Sequence, residues 1–555
     1  MKELMDKRIE KICKKKKLMG ANVVLFNREE IIYQYNYGYA NKEQGMKSTN
    51  DSLYMIGSNT KVMTAICILK LMEEGKLSLE DDVRMFIPEF EVMSTFSYDK
   101  ITIGNLLMHR SGLVGDFFQL ITDPTEDFHH VIEEIKNSYL TAVPGTMFAY
   151  SNVGYTVLGI IVERVSGYTY EEYVKRCIAE PLGIKIHFLQ TKEQRDAFSK
   201  EISLCYNRKG KAVDDLLCTM LPAGSNTYMS ILDFVKFGQI FLKKDGTVLK
   251  RETLMLMETL DCTNPIDLEL CNGGYGLLHN MFNFGEEVGK IYGHGGDTMY
   301  HHSFFYYIPG QNIGIAVFTN SEQAPMVIGE LANKTMISYL NKKGIKTENY
   351  TNVYHYTQED GAKHQGKYVT PLGICDIRKN QKGELTTKIK GLSVKLKPCE
   401  DGFWHVCPNH VLLYLPLIKK EIQNLRIKFV RYESKDIVVI EEREENNKVL
   451  GIIGSRYEKS KVSETFKKAC GKYEIRNDAL KDKKGSCSLY IKNDTLIMEL
   501  CMLSIKGSIC LKVVEDNLAL VQGFGRSTGN DVSLREEQGE FSFTWCGLTF
   551  QKVKK

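Results

Sequence analysis

The hydrophobic pattern of this chain changes near residue 354, and this change limits the folds that the chain can adopt. Up to about residue 345, apolar residues recur at helical spacing in some segments and at strand spacing in others. After about Tyr354 helical spacing fades, and short β-rich runs alternate with Gly, Asn, Asp and Lys turns. The pattern predicts a mixed α/β region over residues 1–350, followed by all-β structure.

Strands are predicted at both ends of the mixed region, with helices between them. Ala21–Phe26 and Ile31–Ala40 are expected to pair, and Ile291–Tyr307 is expected to pair with Asn312–Asn320 as a hairpin. Helical spacing predicts helices after Ser58, over Thr156–Val165, over Tyr170–Ile178 and over Pro325–Asn341. One sheet assembled from distant parts of the chain, with helices packed on it, satisfies this order.

The β-rich part contains a weak internal repeat. Gly366-Lys367-Tyr368 recurs as Gly471-Lys472-Tyr473, and each copy opens a block that contains one of the two tryptophans. The repeat predicts two similar β-barrel modules of about 100 residues, over 355–460 and 461–555. The charged stretch Glu441–Lys448 is predicted to be loop or linker.

Composition and charge exclude several classes of protein. Lys and Arg total 73 against 69 Asp and Glu, so no strong field favours nucleic acid or an anionic membrane. No apolar run approaches the roughly 18 residues that a spanning helix needs, and the N-terminal stretch lacks the apolar segment of an export signal. The 15 cysteines include no C-x-x-C pair. We therefore expect a cytoplasmic protein with no metal site, no membrane span and no nucleic-acid partner.

Ser58-Asn59-Thr60-Lys61 opens the first of the predicted helices. Residues three apart on a helix share a face, so the Ser58 hydroxyl and the Lys61 amine can come within hydrogen-bonding distance. A helix N-terminus favours developing oxyanion character, and a serine becomes a good nucleophile when a neighbouring base removes its proton. Taken alone, the motif also fits an N-cap serine beside a solvated lysine.

Two further motifs carry polar groups suited to an active site. Tyr150-Ser151-Asn152 lies in a predicted loop, where the phenol can act as a base and the amide can donate to a substrate carbonyl. His294-Gly295-Gly296 lies on a predicted strand, where a ligand along the strand edge would explain the glycines. Taken alone, each motif also fits a turn or a β-bulge without any role in an active site.

The order and spacing of these three motifs resemble the serine β-lactamase and penicillin-binding protein family, in its class C-like branch. The resemblance covers roughly residues 15–345 and extends to Gly75–Phe90, Ile101–Leu113, Pro144–Tyr155 and Leu221–Ser225. It implies a β-lactamase/transpeptidase-like α/β (α+β) domain, in which an antiparallel sheet flanked by helices joins an all-α lobe. The two modules that follow look like lipocalin-like β-barrels.

The same resemblance implies a role for each site residue. Ser58 would be the acylated nucleophile, and either a neutral Lys61 or a Tyr150 phenolate would be the base. Asn152 would orient substrate and Lys61. His294, which replaces the lysine that is commoner in lactamases, would be a fourth catalytic residue and could hydrogen-bond Tyr150. The residues expected to bind substrate are Asn152, Gly295, Gly296 and Asp297. The backbone N–H groups of Ser58 and Asp297 would form the oxyanion hole.

The H-x-G variant and the two barrels resemble the D-aminopeptidase and esterase members of the family. We therefore expect a cofactor-free serine hydrolase that acts on an ester, small amide or short peptide, with homo-oligomerisation compatible with the sequence. A β-lactamase or D-Ala-D-Ala carboxypeptidase, an acyltransferase that uses the same acyl-enzyme, and an inert binding or scaffold protein are the alternatives.

Other residues near these motifs have two interpretations. His109 and Arg110 could contact the cleft or anchor a loop, and His301 and His302 could line the pocket or be ordinary strand positions. The insertion Asp116–Tyr139 is the predicted lid and source of substrate selectivity.

Overall fold

The computed structural model describes twelve segments of the chain. They are residues 2–118, 127–213, 220–262, 265–351, 354–371, 373–389, 392–408, 424–432, 435–476, 486–502, 505–523 and 528–553. The centre of the predicted lid, residues 119–126, lies outside them.

An eight-stranded antiparallel sheet forms the middle of the first region, with strand order β3-β2-β1-β13-β12-β11-β10-β9. Its strands are β1 (Gly20–Phe26), β2 (Ile31–Asn41), β3 (Met46–Lys47), β9 (Asn272–Gly273), β10 (Leu278–His279), β11 (Tyr292–Asp297), β12 (His302–Ile308) and β13 (Ile313–Thr319). Two small sheets are separate from it. One contains β4 (Tyr54–Met55), β8 (Thr227–Met229) and β5 (His187–Phe188), and the other contains β6 (Cys205–Tyr206) and β7 (Ala212–Val213). The sheet therefore joins the two ends of the region, as the sequence predicts.

Helices cover both faces of this sheet. They are α1 (Lys2–Lys16), α2 (Thr60–Glu73), α3 (Ile103–Leu107), α4 (Val131–Lys136), α5 (Asn152–Ser166), α6 (Tyr170–Val174), α7 (Glu180–Leu182), α8 (Lys192–Ala197), α9 (Ile231–Lys243), α10 (Arg251–Leu256) and α11 (Ile328–Lys342). A π-helical turn, Lys175–Ala179, joins α6 to α7. Alternate strand residues face opposite layers, because the side-chain period of a strand is two. Phe305 belongs to the buried cluster that contains residues of α2 and α9, whereas Phe304 belongs to the cluster that contains residues of α1 and α11.

Two closed eight-stranded barrels follow. The first contains β14 (Gly366–Thr370), β15 (Gly373–Lys379), β16 (Leu385–Ile389), β17 (Leu392–Pro398), β18 (Trp404–Pro408), β19 (Leu425–Tyr432), β20 (Lys435–Glu444) and β21 (Asn447–Arg456). After α12 (Glu464–Ala469), the second contains β22 (Gly471–Ile475), β23 (Ser486–Lys492), β24 (Thr495–Met502), β25 (Ile505–Val513), β26 (Leu518–Val521), β27 (Asp531–Glu537), β28 (Glu540–Trp545) and β29 (Leu548–Lys552). The predicted fold class is confirmed.

The sequence repeat has the same structural role in both barrels. Gly366 and Gly471 begin the first strand of each barrel with φ of +142° and +153°, a conformation that favours glycine. Two residues later, the buried Tyr368 and Tyr473 donate their hydroxyls to a carbonyl four residues earlier in the chain. Each tyrosine thus fixes the turn that leads into its barrel.

Two predictions of secondary structure were wrong. Ile291–Tyr307 is not one strand but two, because residues 298–301 turn the chain and the Thr298 hydroxyl accepts from the His301 N–H at 2.9 Å. Glu441–Lys448 is a loop only at residues 445–446 of the β20–β21 hairpin, because residues 441–444 end β20 and residues 447–448 begin β21. In that hairpin the buried Glu441 accepts from Arg426 at 2.7 Å, which allows a charged residue to occupy a strand.

Within the described residues, no helix is both long enough and apolar enough to cross a membrane.

Candidate active site

Ser58 lies in a tight turn just before α2, and its neighbours fix this turn against the sheet. The 3-10 turn Gly57–Asn59 precedes the helix, and the Thr60 hydroxyl donates to the Gly57 carbonyl at 2.9 Å. The Asn59 amide donates to Ser303 Oγ at 2.7 Å, and Ser303 in turn donates to the Ile56 carbonyl at 2.5 Å. The nucleophile candidate is therefore set at a helix N-terminus that is tied to strand β12.

Lys61 is fully buried one helical turn after Ser58. Its Nζ donates to Ser58 Oγ at 3.0 Å and also to the Ala223 carbonyl. The Thr64 hydroxyl donates to the Pro222 carbonyl at 2.7 Å, which holds the Pro222–Ala223 segment against α2. The amine that the sequence places beside Ser58 is thus in direct contact with the hydroxyl it would activate.

Tyr150 reaches the same place from the loop before α5. The Lys61 Nζ lies 5.0 Å from the centre of the Tyr150 ring. The ring also stacks on His109, with the ring centroids 4.3 Å apart. The three polar groups that the sequence predicted to converge, a hydroxyl, an amine and a phenol, therefore lie in one cluster.

The backbone of β11 passes close to the Ser58 turn. Gly57 has φ of +53°, and a Cβ on it would lie 3.0 Å from the Asp297 nitrogen. A Cβ on Gly296 would lie 2.0 Å from the Ile56 carbonyl oxygen, so the chain itself requires a glycine there, whether or not a ligand also does. In the described part of the chain, β10 pairs only with residues 292–293 of β11, which leaves 294–297 as an open strand edge.

His294 is buried beside this cluster and is neutral at ordinary pH. Burial, and secondarily the nearby Lys61, lower its pKa to about 3. Its Nδ1 is 2.6 Å from the Gly295 carbonyl, and its ring centre lies 6.1 Å from that of Tyr150. A neutral imidazole offers no positive charge to a substrate carboxylate.

Asn152 makes a contact that the sequence did not reveal. Its Nδ2 donates to Asp116 Oδ1 at 2.7 Å, and its backbone N–H donates to the Gly115 carbonyl at 2.8 Å. A carboxylate oxygen accepts hydrogen bonds, so this contact also assigns which end of the amide faces Asp116. The Nδ2 group carries a second N–H, so Asn152 can keep the Asp116 bond and still donate to a substrate.

The predicted lid is anchored at its described start to the second barrel. The Phe118 N–H donates to the Cys546 carbonyl at 2.9 Å, and the Phe118 ring centre lies 5.7 Å from that of Trp545. Neither contact was visible in the sequence, because Phe118 and Cys546 are separated by most of the chain.

The other histidines near the site have structural contacts. His301 accepts from the Met55 N–H at 3.0 Å, and His302 Nδ1 lies 2.6 Å from Asp297 Oδ1. Arg110 is buried and donates to Asp267 Oδ2 at 2.8 Å.

Among the residues that the structure describes, no group of three or more His, Cys, Asp or Glu side chains could hold a metal ion.

Buried neutral histidines give a pH-dependent stability. Burial lowers the pKa of His301 and of His294 to about 3 and that of His279 to about 4, from 6.5. Between the folded and unfolded pKa values the unfolded chain binds more protons than the folded chain. The contribution of these histidines to stability is therefore highest above pH 6.5 and decreases as the pH is lowered. Each such histidine changes the free energy of unfolding by at most about 1.4 kcal/mol per pH unit.

We predict that His301→Gln lowers the slope of the free energy of unfolding against pH, between pH 6 and pH 4, by the equivalent of about one bound proton. The measurement is urea unfolding at several pH values, with the exposed His355→Gln as control. A His301→Gln curve parallel to that of the wild type would contradict the prediction.

Comparison with known proteins identifies the family. The Beta-lactamase family model matches residues 5–333, which is more than half of the chain. The chain therefore belongs to the β-lactamase family, and the resemblance seen in the sequence is confirmed.

Individual relatives have low sequence identity to this chain. "Protein flp" of Staphylococcus aureus (strain N315) is 32% identical over 202 residues, which are 36% of this chain and 41% of the relative. The chain thus spans about two-fifths of the length of this relative. A penicillin-binding protein homologue from Pyrococcus abyssi, an octamer, has a TM-score of 0.53 at 21% identity and covers 99% of both chains. D-amino acid amidase from Ochrobactrum anthropi SV3 has a TM-score of 0.51 at 20% identity, covering 62% of this chain and all of the amidase. At such identities the structures show a shared fold.

Proposed function

We propose that this protein is a serine hydrolase that forms an acyl-enzyme on Ser58 and acts on an ester, a small amide or a short peptide. The observation that carries the proposal is the 3.0 Å contact between the buried Lys61 amine and the Ser58 hydroxyl. An amine in this position can take the hydroxyl proton as the oxygen attacks a carbonyl. Membership of the β-lactamase family supports the same chemistry.

The remaining site residues have complementary roles in this proposal. Tyr150 shares the proton with Lys61 and delivers it to the leaving group. The backbone N–H groups of Ser58 and Asp297 bind the oxyanion, as the close approach of β11 to the Ser58 turn suggests. Substrate lies along the open edge formed by residues 294–297, and Asn152 orients both the substrate and Lys61.

The proposed substrates resemble those of aminopeptidases and esterases more than β-lactams. A neutral His294 is a weak anchor for the carboxylate that β-lactam antibiotics carry. The amidase among the structural neighbours acts on D-amino acid amides, by its name, and we extend that substrate class to this chain.

We also propose an organisation for the whole chain. Residues 1–350 form the hydrolase domain, and 355–460 and 461–555 form the two barrel modules. A homo-oligomer is proposed by analogy with the octameric homologue. A cytoplasmic location is proposed because the 15 cysteines are scattered along the sequence and include no C-x-x-C pair.

The test is the Ser58→Ala variant with a panel of p-nitrophenyl esters and a fluorophosphonate probe. We expect loss of turnover and of probe labelling with an unchanged melting temperature, because Ser58 is only half-buried and the change removes one oxygen. Ser78→Ala, at an exposed position after the same helix, should react like the wild type. Turnover by the Ser58→Ala variant at the wild-type rate would refute the proposed function.

A further inference from the structure

A buried polar cluster joins the first barrel to the hydrolase region. The Tyr432 hydroxyl, at the end of β19, lies 2.9 Å from both carboxylate oxygens of Asp267 and donates to them. Arg110 donates to the same carboxylate at 2.8 Å. Tyr432, Asp267 and Arg110 are exposed by 0%, 1% and 2% respectively. Burial, with Asp267 second, raises the pKa of Tyr432, so its hydroxyl remains a donor.

Arg110 and its neighbour His109 shape the loop that carries Tyr150. The Gly145 N–H donates to the Arg110 carbonyl at 2.7 Å, and the Ala149 N–H donates to the His109 carbonyl at 2.8 Å. The Ser151 N–H donates to His109 Nδ1 at 3.0 Å. These three hydrogen bonds fix the loop at Gly145 and on both sides of Tyr150, at Ala149 and Ser151. The Tyr150 ring itself stacks on His109.

The His109 backbone has an uncommon conformation. Its φ is +56°, in the left-handed region that residues other than glycine adopt rarely. Such a conformation persists when the surroundings impose it, and it is common at functional sites. The next residue, Arg110, is the one that the Asp267 carboxylate and the first barrel hold in place.

Apolar residues also connect the Tyr150 loop with the first barrel. Met147, in the Tyr150 loop, belongs to one buried cluster with Ile266 and Leu270 of the hydrolase region and with Tyr432 and Val439 of the barrel. The barrel therefore shares a buried apolar cluster with the loop, in addition to its hydrogen bonds to Asp267.

We propose that Tyr432 is a positioning residue for Tyr150, acting through Asp267, Arg110 and His109, so that the first barrel is a functional part of the hydrolase site. This inference rests on the proposed function and gives the barrel a role in it. Removing the Tyr432 hydroxyl takes a donor from a buried carboxylate and loosens the Arg110 anchor. The Tyr150 phenol then spends less time in its reactive position, which lowers kcat and leaves substrate binding nearly unchanged.

The test is Tyr432→Phe, which keeps the ring and removes only the hydroxyl. We expect kcat for ethyl acetate to fall by about tenfold or more, with KM changed by less than about twofold. The matched control is Tyr368→Phe, a buried tyrosine of the same barrel whose hydroxyl bonds to His364 within that barrel. It should keep the wild-type kcat.

A double-variant comparison separates positioning from general destabilisation. If Tyr432 acts through Tyr150, Tyr432→Phe should cause no further loss in a Tyr150→Phe background. Arg110→Lys provides a second variant of the same anchor, for the case that Tyr432→Phe does not fold, and should show the same dependence on Tyr150. An unchanged kcat, or an equal loss in both backgrounds, would overturn the inference. Ser58→Ala measured in parallel reports on the proposed function separately, since its activity does not depend on how Tyr150 is held.

Discussion

Lys61→Met is expected to lower kcat/KM for p-nitrophenyl acetate by about a thousandfold, within the 10²–10⁴-fold range of general base catalysis. The amine is the group in contact with Ser58 Oγ, and methionine fills the same buried space without a base. The measurement is steady-state release of p-nitrophenol, together with the melting temperature of the variant. The matched control is Lys70→Met, near the end of the same helix, where Lys70 pairs with Glu73.

The control should keep nearly full activity, because a partly exposed ion pair contributes little. A Lys61→Met variant with kcat/KM within about threefold of the wild type would show that Lys61 does not take part in activating the serine.

Tyr150→Phe is expected to discriminate between substrates by their leaving groups. If the phenol delivers a proton to the leaving oxygen, the loss should be about 10²–10⁴-fold for an ethyl ester, whose alkoxide needs that proton. The loss should be much smaller for a p-nitrophenyl ester, because p-nitrophenolate leaves without protonation. The measurement is the ratio of kcat/KM for the two esters in the wild type and in the variant.

Tyr155→Phe is the control for this experiment. Tyr155 is buried beside the same cluster, with its Oη 2.7 Å from the Leu107 carbonyl to which it donates, and Lys61 Nζ lies 5.8 Å from its ring centre. Loss of this hydroxyl should affect both esters by the same factor. Equal losses on both esters in Tyr150→Phe would contradict the role of Tyr150 as proton donor to the leaving group.

The sequence predicts best those parts of the site that depend on local geometry. The contact between Ser58 and Lys61 follows from helical spacing, and the two barrels follow from a Gly-Lys-Tyr repeat whose glycine and tyrosine have fixed backbone roles. The convergence of Tyr150 and His294 on that serine came from the family resemblance, because no local rule brings together residues so far apart.

What the sequence could not predict consists of contacts between distant segments. Asp116 gives no sign that it holds Asn152, and Asp267 and Tyr432 give no sign that they meet Arg110. The charged stretch 441–448 is predicted to be loop or linker because the partner of Glu441, the buried Arg426, lies on another strand. In each case a polar residue looks solvated until the fold supplies its partner.

The central claim is that catalysis passes through an acyl group on the Ser58 oxygen. The most direct measurement is the mass of the intact protein after it is mixed with p-nitrophenyl acetate and quenched in acid during turnover, followed by peptide mapping. The account predicts a fraction of protein heavier by one acetyl group, with that group on the peptide that contains Ser58 and absent from the Ser58→Ala variant. Sustained turnover with no acetylated protein at any quench time, or with the acetyl group on another residue, would contradict it.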